Sequence, residues 1–210
     1  MRNLIAKTWR YKMTNNSELP MKIADSSVVD LSYYKEVKSY SDLFWNISNL
    51  GDPIHDNKIE MLVAKEARLL DQQSFDEWLS LFLESGCYWI PGSSPAESPA
   101  EEVTLEFHDI RRLKDRIVRI QTGFAYSQIP ISSTSRVTGI PEIWKVPGSS
   151  EGFLVRTSFI VFESRDGKSQ VLSGWYGYVI IKDNDELKIK MKQINLNDCL
   201  SPQGNNSFFL

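Results

Sequence analysis

The clearest periodic segment of the chain runs from Asp56 to Gln72, "DNKIEMLVAKEARLLDQ". Ile59, Leu62, Val63, Ala67 and Leu70 recur at helical spacing and form one apolar stripe. Asp56 stands before the stripe as an N-cap, and Glu60 places a negative charge in the first turn, where the helix dipole favours it. Ser74, with Glu77 three residues on, has capping-box spacing and predicts a second helix over "FDEWLSLFLESG". Phe75, Trp78, Leu79 and Phe82 would supply its apolar face, and Gly86 would end it. "CYWIP" then reads as a short strand stopped by Pro91. "VTLEF" reads as a strand leading into a third helix, "HDIRRLKDRIVRIQTG". There Ile110, Leu113, Ile117 and Ile120 make a narrow stripe, with Arg111, Arg112, Asp115 and Arg119 opposite it.

After Gly123 the apolar period changes to two. "TSRVTGIPEIWKV" predicts a strand interrupted at Pro141. "FLVRTSFIVFESR" is apolar on both faces, which predicts a central strand. Asp166-Gly167 marks a hairpin turn into "QVLSGWYGYVIIK", and "DNDE" marks a second turn into "LKIKMKQINL". Gly174 and Gly177 suggest a bulge or sharp curvature. In the last strand Leu187, Ile189 and Met191 alternate with Lys188, Lys190 and Lys192. The apolar parity then flips to Ile194 and Leu196, which predicts a bulge near Gln193.

Upstream, "YYKEVKSYSDLFWNI" puts Tyr34, Val37, Leu43 and Phe44 partly in helical register. Residues 1–50 otherwise read as a partly irregular N-terminal extension, and residues 51–210 as one domain. The element order predicts an α+β fold, with a strongly curved, mainly antiparallel sheet and N-terminal helices on its concave side.

Composition narrows the function classes. Of 210 residues, 41% are hydrophobic and 11% aromatic, enough for a real core. The net charge of -3 argues against a dedicated nucleic-acid binder, despite Arg111, Arg112, Lys114, Arg116 and Arg119 on one helix. No signal peptide and no apolar run of about 20 residues is visible, so a cytoplasmic chain with reduced thiols is expected. Cys87 and Cys199 then act as small buried hydrophobes.

The motifs together resemble a known family. "EARLLDQQSFDEWLSLF" followed by "YWIP", then "RRLKDRIVRIQTGFAYSQIP", "VRTSFIVFESR", Gly174 and "NNSFFL" resemble the small (beta) subunit of Rieske-type aromatic-ring-hydroxylating dioxygenases. Arg116, Arg119, Thr122, Gly123, Ala125 and Pro130 fall where that pattern expects them. The chain departs from it around Ser133 and Ser135, where arginines are common, and at "WYGYVI". The resemblance implies the cone fold shared with nuclear transport factor 2-like and polyketide-cyclase-like (SnoaL-like) proteins. It implies a non-catalytic small subunit, three copies of which join three large subunits. The large subunits would hold a Rieske iron-sulfur cluster and a mononuclear iron and dihydroxylate an aromatic ring with O2. Electrons would come from NADH through a reductase and ferredoxin, and no cofactor is expected in this chain.

The residues point the same way independently. A Rieske centre needs closely spaced cysteine and histidine pairs, and neither Cys87 nor Cys199 has a neighbouring histidine. A mononuclear oxygenase iron would need both His55 and His108. The alternative is a stand-alone cone-fold dehydratase or isomerase, with His108 and Asp109, or Glu66, as acid and base. Glu66 interrupts the first helix's stripe. A buried carboxylate is costly alone, so an ion pair is expected, with Arg116 the first candidate and Arg68 and Arg136 the others. Arg111, Arg112, Arg119, Arg136, Phe208 and Phe209 are the expected subunit-interface residues. The apolar tail is expected to dock, in the fold or at a subunit seam.

Overall fold

The computed structural model describes residues 29–123, 129–201 and 208–210. Ala125 of the family pattern, residues 1–28 of the extension, and Asn205, Asn206 and Ser207 of the tail motif lie outside the described residues.

Four helices and seven strands are described. Helix α1 spans Leu31–Trp45, α2 Asn57–Asp71, α3 Phe75–Leu79 and α4 Ile110–Gln121. The strands are β1 Phe82–Ile90, β2 Glu106–Asp109, β3 Ser133–Thr138, β4 Glu142–Lys145, β5 Gly152–Arg165, β6 Lys168–Asp183 and β7 Glu186–Leu196. They form one sheet in the order β2-β1-β7-β6-β5-β3, with β4 also paired to β5. All pairings are antiparallel except β1 with β7. The result is the expected α+β cone fold, a large curved and unclosed sheet.

The caps and turns follow local chemistry. The Asp56 carboxylate accepts from the N–H groups of Lys58 and Ile59 and starts α2. Asp166-Gly167 and Asn184-Asp185 all have positive φ, the geometry that joins strands through tight two-residue turns. β3 and β4 pair with successive parts of β5 on either side of Pro141, so the interrupted strand is two strands sharing one edge.

Three expectations need correction. The second helix stops at Leu79, and the Ser74 side chain makes no capping bond. Phe82 to Gly86 instead open β1, where a register shift against β7 lies between Phe82 and Cys87. Gly86 therefore lies at a bulge, not at a helix end. The strand before α4 is Glu106–Asp109, so His108 is a strand residue. The β7 bulge falls earlier than Gln193: Val179 faces Met191 and Ile180 faces Ile189, leaving Lys190 as the extra residue.

The β5–β6 register runs unbroken past Gly174 and Gly177, so neither glycine is a bulge there. Both mark close approach instead. A Cβ on Gly174 would sit 1.9 Å from the Asn195 oxygen, and one on Gly177 would sit 2.9 Å from the Phe44 ring.

The sheet carries a core on each face, because successive strand residues point opposite ways. One face packs Tyr88, Val155, Tyr178, Ile180, Ile189 and Ile194 against α2, α3 and α4. The other packs Trp89, Leu154, Val179 and Met191 against α1, through Tyr33, Val37 and Phe44. The second layer arises within the segment read as an extension.

Candidate functional site

The polar chemistry of the chain gathers on the face covered by α2–α4. Glu66 sits in the middle of α2, on the same stripe as Ile59, Val63 and Leu70, and is fully buried. Opposite it lies a row of strand neighbours. Tyr88 on β1 pairs with Lys192 on β7, and Lys192 pairs with Tyr178 on β6. Cross-strand partners share a face, so these side chains converge beneath Glu66.

Lys192 turns inward because of the bulge at Lys190. A strand without it would put Lys192 on the face with Met191's neighbours; the extra residue places Lys192, Ile194 and Leu196 together instead. Lys192 Nζ lies 2.7 Å from Glu66 Oε1, and both side chains are 0% exposed. Trp78 Nε1 donates to the same oxygen at 2.6 Å, and the Tyr178 hydroxyl donates to Oε2 at 3.2 Å. Burial lowers the Lys192 pKa to about 8, with the Glu66 charge opposing the shift. Burial also raises Tyr88 and Tyr178 well above the usual phenol value, and Glu66 adds to it at Tyr178. Both phenols are neutral hydrogen-bonding groups at physiological pH.

Two further ion pairs flank this centre. Arg136 on β3 binds Asp71 at the end of α2, and the Arg136 N–H donates to Asp71 Oδ2 at 2.8 Å. The Thr134 hydroxyl donates to Asp71 Oδ1 at 2.9 Å. Arg116 on α4 binds Glu106 on β2. The expected Glu66–Arg116 pair is therefore not formed. Both residues are buried, but Arg116 is held by Glu106 across the edge strand, and the ammonium facing Glu66 belongs to Lys192.

The expected interface residues divide. Arg111, Arg112 and Arg119 are exposed on the outer face of α4. Arg112 and Arg119 line a surface hollow together with His108, Asp115 and Val118. Arg136 is bound inside, with its side chain 1% exposed. Phe208 and Phe209 are buried in this chain's own core and offer no outward face. Of the two docking places expected for the tail, its last three residues occupy the one inside the fold.

Asp109 is the N-cap of α4 and accepts from the Arg112 N–H at 2.8 Å. His108 precedes it on the strand and so projects to the opposite face; its Nε2 lies 3.6 Å from Glu106 Oε2. The two do not form an acid/base dyad. His55 is exposed beside Glu60, far from any second histidine in the chain order. Among the described residues no group of three or more His, Cys, Asp or Glu side chains is placed to hold a metal ion. Burial pushes the Cys87 thiol up to about 12, which leaves it a thiol. Among the described residues no helix is long and apolar enough to cross a membrane.

The opposite sheet face carries an uncovered apolar strip. Val137, Ile160, Phe162 and Val171 are 67%, 53%, 46% and 62% exposed. The register places Val137 beside Ile160 and Phe162 beside Val171, so the four are contiguous across β3, β5 and β6.

Such a chain is an α+β cone-fold protein in which buried Glu66 and Lys192 are paired with each other and buried Arg116 is paired with Glu106. Comparison with known proteins places it further. The family model described as ring hydroxylating beta subunit matches residues 65–203, and the chain belongs to that family. It is 26% identical over 157 residues to the small oxygenase component of the p-cumate 2,3-dioxygenase system of Pseudomonas putida, covering 73% of this chain and 86% of that protein. It is 27% identical over 156 residues to the benzoate 1,2-dioxygenase subunit beta of Acinetobacter baylyi, covering 72% and 91%. A solved naphthalene 1,2-dioxygenase with indole bound shares the fold at a TM-score of 0.66 and 16% identity, over 87% of this chain and all of the matched chain. The beta subunit of the Burkholderia mallei benzoate 1,2-dioxygenase matches at a TM-score of 0.59 and 22% identity, over 74% and 98%.

Proposed function

We propose that this chain is the non-catalytic small subunit of the terminal oxygenase component of an aromatic-ring-hydroxylating dioxygenase. The observation that carries this reading is the family match across the second helix, the third and the whole meander. The side chains support it. Of the acid/base candidates, His108 and Asp109 do not meet, and Glu66 is locked by Lys192, Trp78 and Tyr178. The role is assembly: three copies associate with three iron-containing large subunits and fix the spacing between them. The large subunits carry the Rieske cluster and mononuclear iron, and receive NADH-derived electrons through a reductase and ferredoxin. The complex works in the cytoplasm on an aromatic ring.

Two surfaces are available for these contacts. The strip of Val137, Ile160, Phe162 and Val171 is apolar and uncovered, the signature of a partner-covered face. Arg111, Arg112 and Arg119 supply a cationic one on α4.

Co-expression with a large subunit encoded beside it, followed by mass measurement in solution, tests the reading. The expected result is one complex of both chains, well above ~100 kDa because three copies of this 24.1 kDa chain already account for roughly 72 kDa, with iron confined to the large chain. Phe162→Asp with Val171→Lys, or charge reversal at Arg112 and Arg119, should weaken assembly without changing the circular dichroism of the lone chain. A lone chain that turns over substrate and loses activity on His108→Ala or Glu66→Gln would overturn the proposal.

A further inference from the structure

Phe208, Phe209 and Leu210 belong to no strand, yet all three are buried. Outside a ladder, buried main-chain groups must find other partners. Here side chains supply them. Arg116 Nη2 donates to the Phe208 oxygen at 3.1 Å, Arg136 Nη2 donates to the Phe209 oxygen, and Lys192 Nζ donates to the Leu210 main-chain oxygen at 2.7 Å. The Leu210 N–H donates to the Tyr88 hydroxyl at 2.9 Å. The Phe209 ring lies 4.8 Å from the Trp78 ring, and the Arg116 guanidinium stands 4.2 Å above it.

Three cations from α4, β3 and β7 thus contact three successive main-chain oxygens, while one aromatic ring fills a pocket between them. Main-chain bonds combined with a side-chain pocket are how proteins hold extended peptide ligands. Neutral core packing needs no cations. Each cation also has a carboxylate partner outside the segment, Glu106 for Arg116, Asp71 for Arg136 and Glu66 for Lys192, so none depends on the segment alone for a counter-charge.

We propose that the helix-covered face of the sheet contains a peptide-binding cleft for which Phe208–Leu210 is the tethered occupant. The cleft accepts an extended peptide of the Phe-Phe-Leu type when it arrives as a separate molecule. A tethered occupant acts at an effective concentration on the order of millimolar. The intact chain is therefore closed to free peptide, and weakening the tethered segment opens it. This inference does not depend on assembly with a large subunit.

A fluorescein-labelled Asn-Asn-Ser-Phe-Phe-Leu peptide tests it by anisotropy. It is titrated with the intact chain, with a variant lacking residues 208–210, and with full-length Phe209→Ala. The full-length variant keeps the question answerable if the shortened chain does not fold. Saturable binding to either variant is expected, at least tenfold tighter than to the intact chain. Replacing the second phenylalanine of the peptide with alanine should weaken that binding at least tenfold. Equal or absent binding across the three proteins, or equal binding of a scrambled peptide, would overturn the proposal.

Discussion

Replacing Glu66 with glutamine leaves the Lys192 ammonium buried without its counter-charge. The 2.7 Å separation and complete burial set the scale. At an effective dielectric of ~20, two unit charges at that distance attract by about 6 kcal/mol. Desolvating each ion costs several kcal/mol, so the intact pair is close to neutral against an apolar replacement. Removing one partner is different, because the other ion must stay desolvated and uncompensated or give up its charge, and either is costly. Glu66→Gln and Lys192→Met should each lose about 3–5 kcal/mol by that reasoning. The double variant should lose about 3 kcal/mol or less, not the sum, since no unpaired charge remains. It does not return to zero, because Lys192→Met also frees the Leu210 oxygen and Glu66→Gln alters the bonds from Trp78 and Tyr178. Urea unfolding at pH 7, followed by circular dichroism, closes the cycle. Additivity within about 0.5 kcal/mol would refute the claim that the two charges stabilise each other.

The same lysine makes stability depend on pH. Its folded pKa is lowered to about 8 from an ordinary 10.5, so between those values the unfolded chain binds more protons than the folded one. Its contribution to stability therefore rises with pH across that window and is least favourable below pH 8. The melting temperature of the unmodified chain, measured relative to Lys192→Met, should climb from pH 7.5 to pH 10; a flat difference would contradict the lowered pKa. Gly177→Ala should cost about 1–3 kcal/mol, because its Cβ would press on the Phe44 ring. Thermal melts should show most of that loss disappearing in a Phe44→Ala background, and an undiminished loss would mean that α1 does not pack there.

The elements themselves were largely legible. Helix α2 announced its cap at Asp56, its stripe and the odd Glu66; α4 announced Ile110, Leu113, Ile117 and Ile120. The meander was legible from its period and its two turns. Local signals failed where a tertiary contact overrode them. Ser74 and Glu77 advertise a long helix, yet α3 stops at Leu79 and Phe82 opens β1 by pairing with Ile189 of β7. The parity flip in β7 was visible, but its position was not, because Lys190 and Gln193 are equally plausible places for the extra residue.

That displacement of the bulge had the largest consequence for the site. A lysine in "LKIKMKQINL" reads as a solvent-side residue, and only the register against β6 shows that Lys192 faces Glu66. The apolar tail was known to need cover, but not that Arg116, Arg136 and Lys192 would hold its main chain. By itself the sequence determined where α2, α4 and the β5–β7 meander lie, that Glu66 needed a cation, and which family pattern the chain carries. Those depend on near neighbours and on residue type. The tertiary structure alone decided which cation each carboxylate received. Glu66 and Lys192 lie on different elements, and their meeting depends on strand register and on where one extra residue enters the sheet.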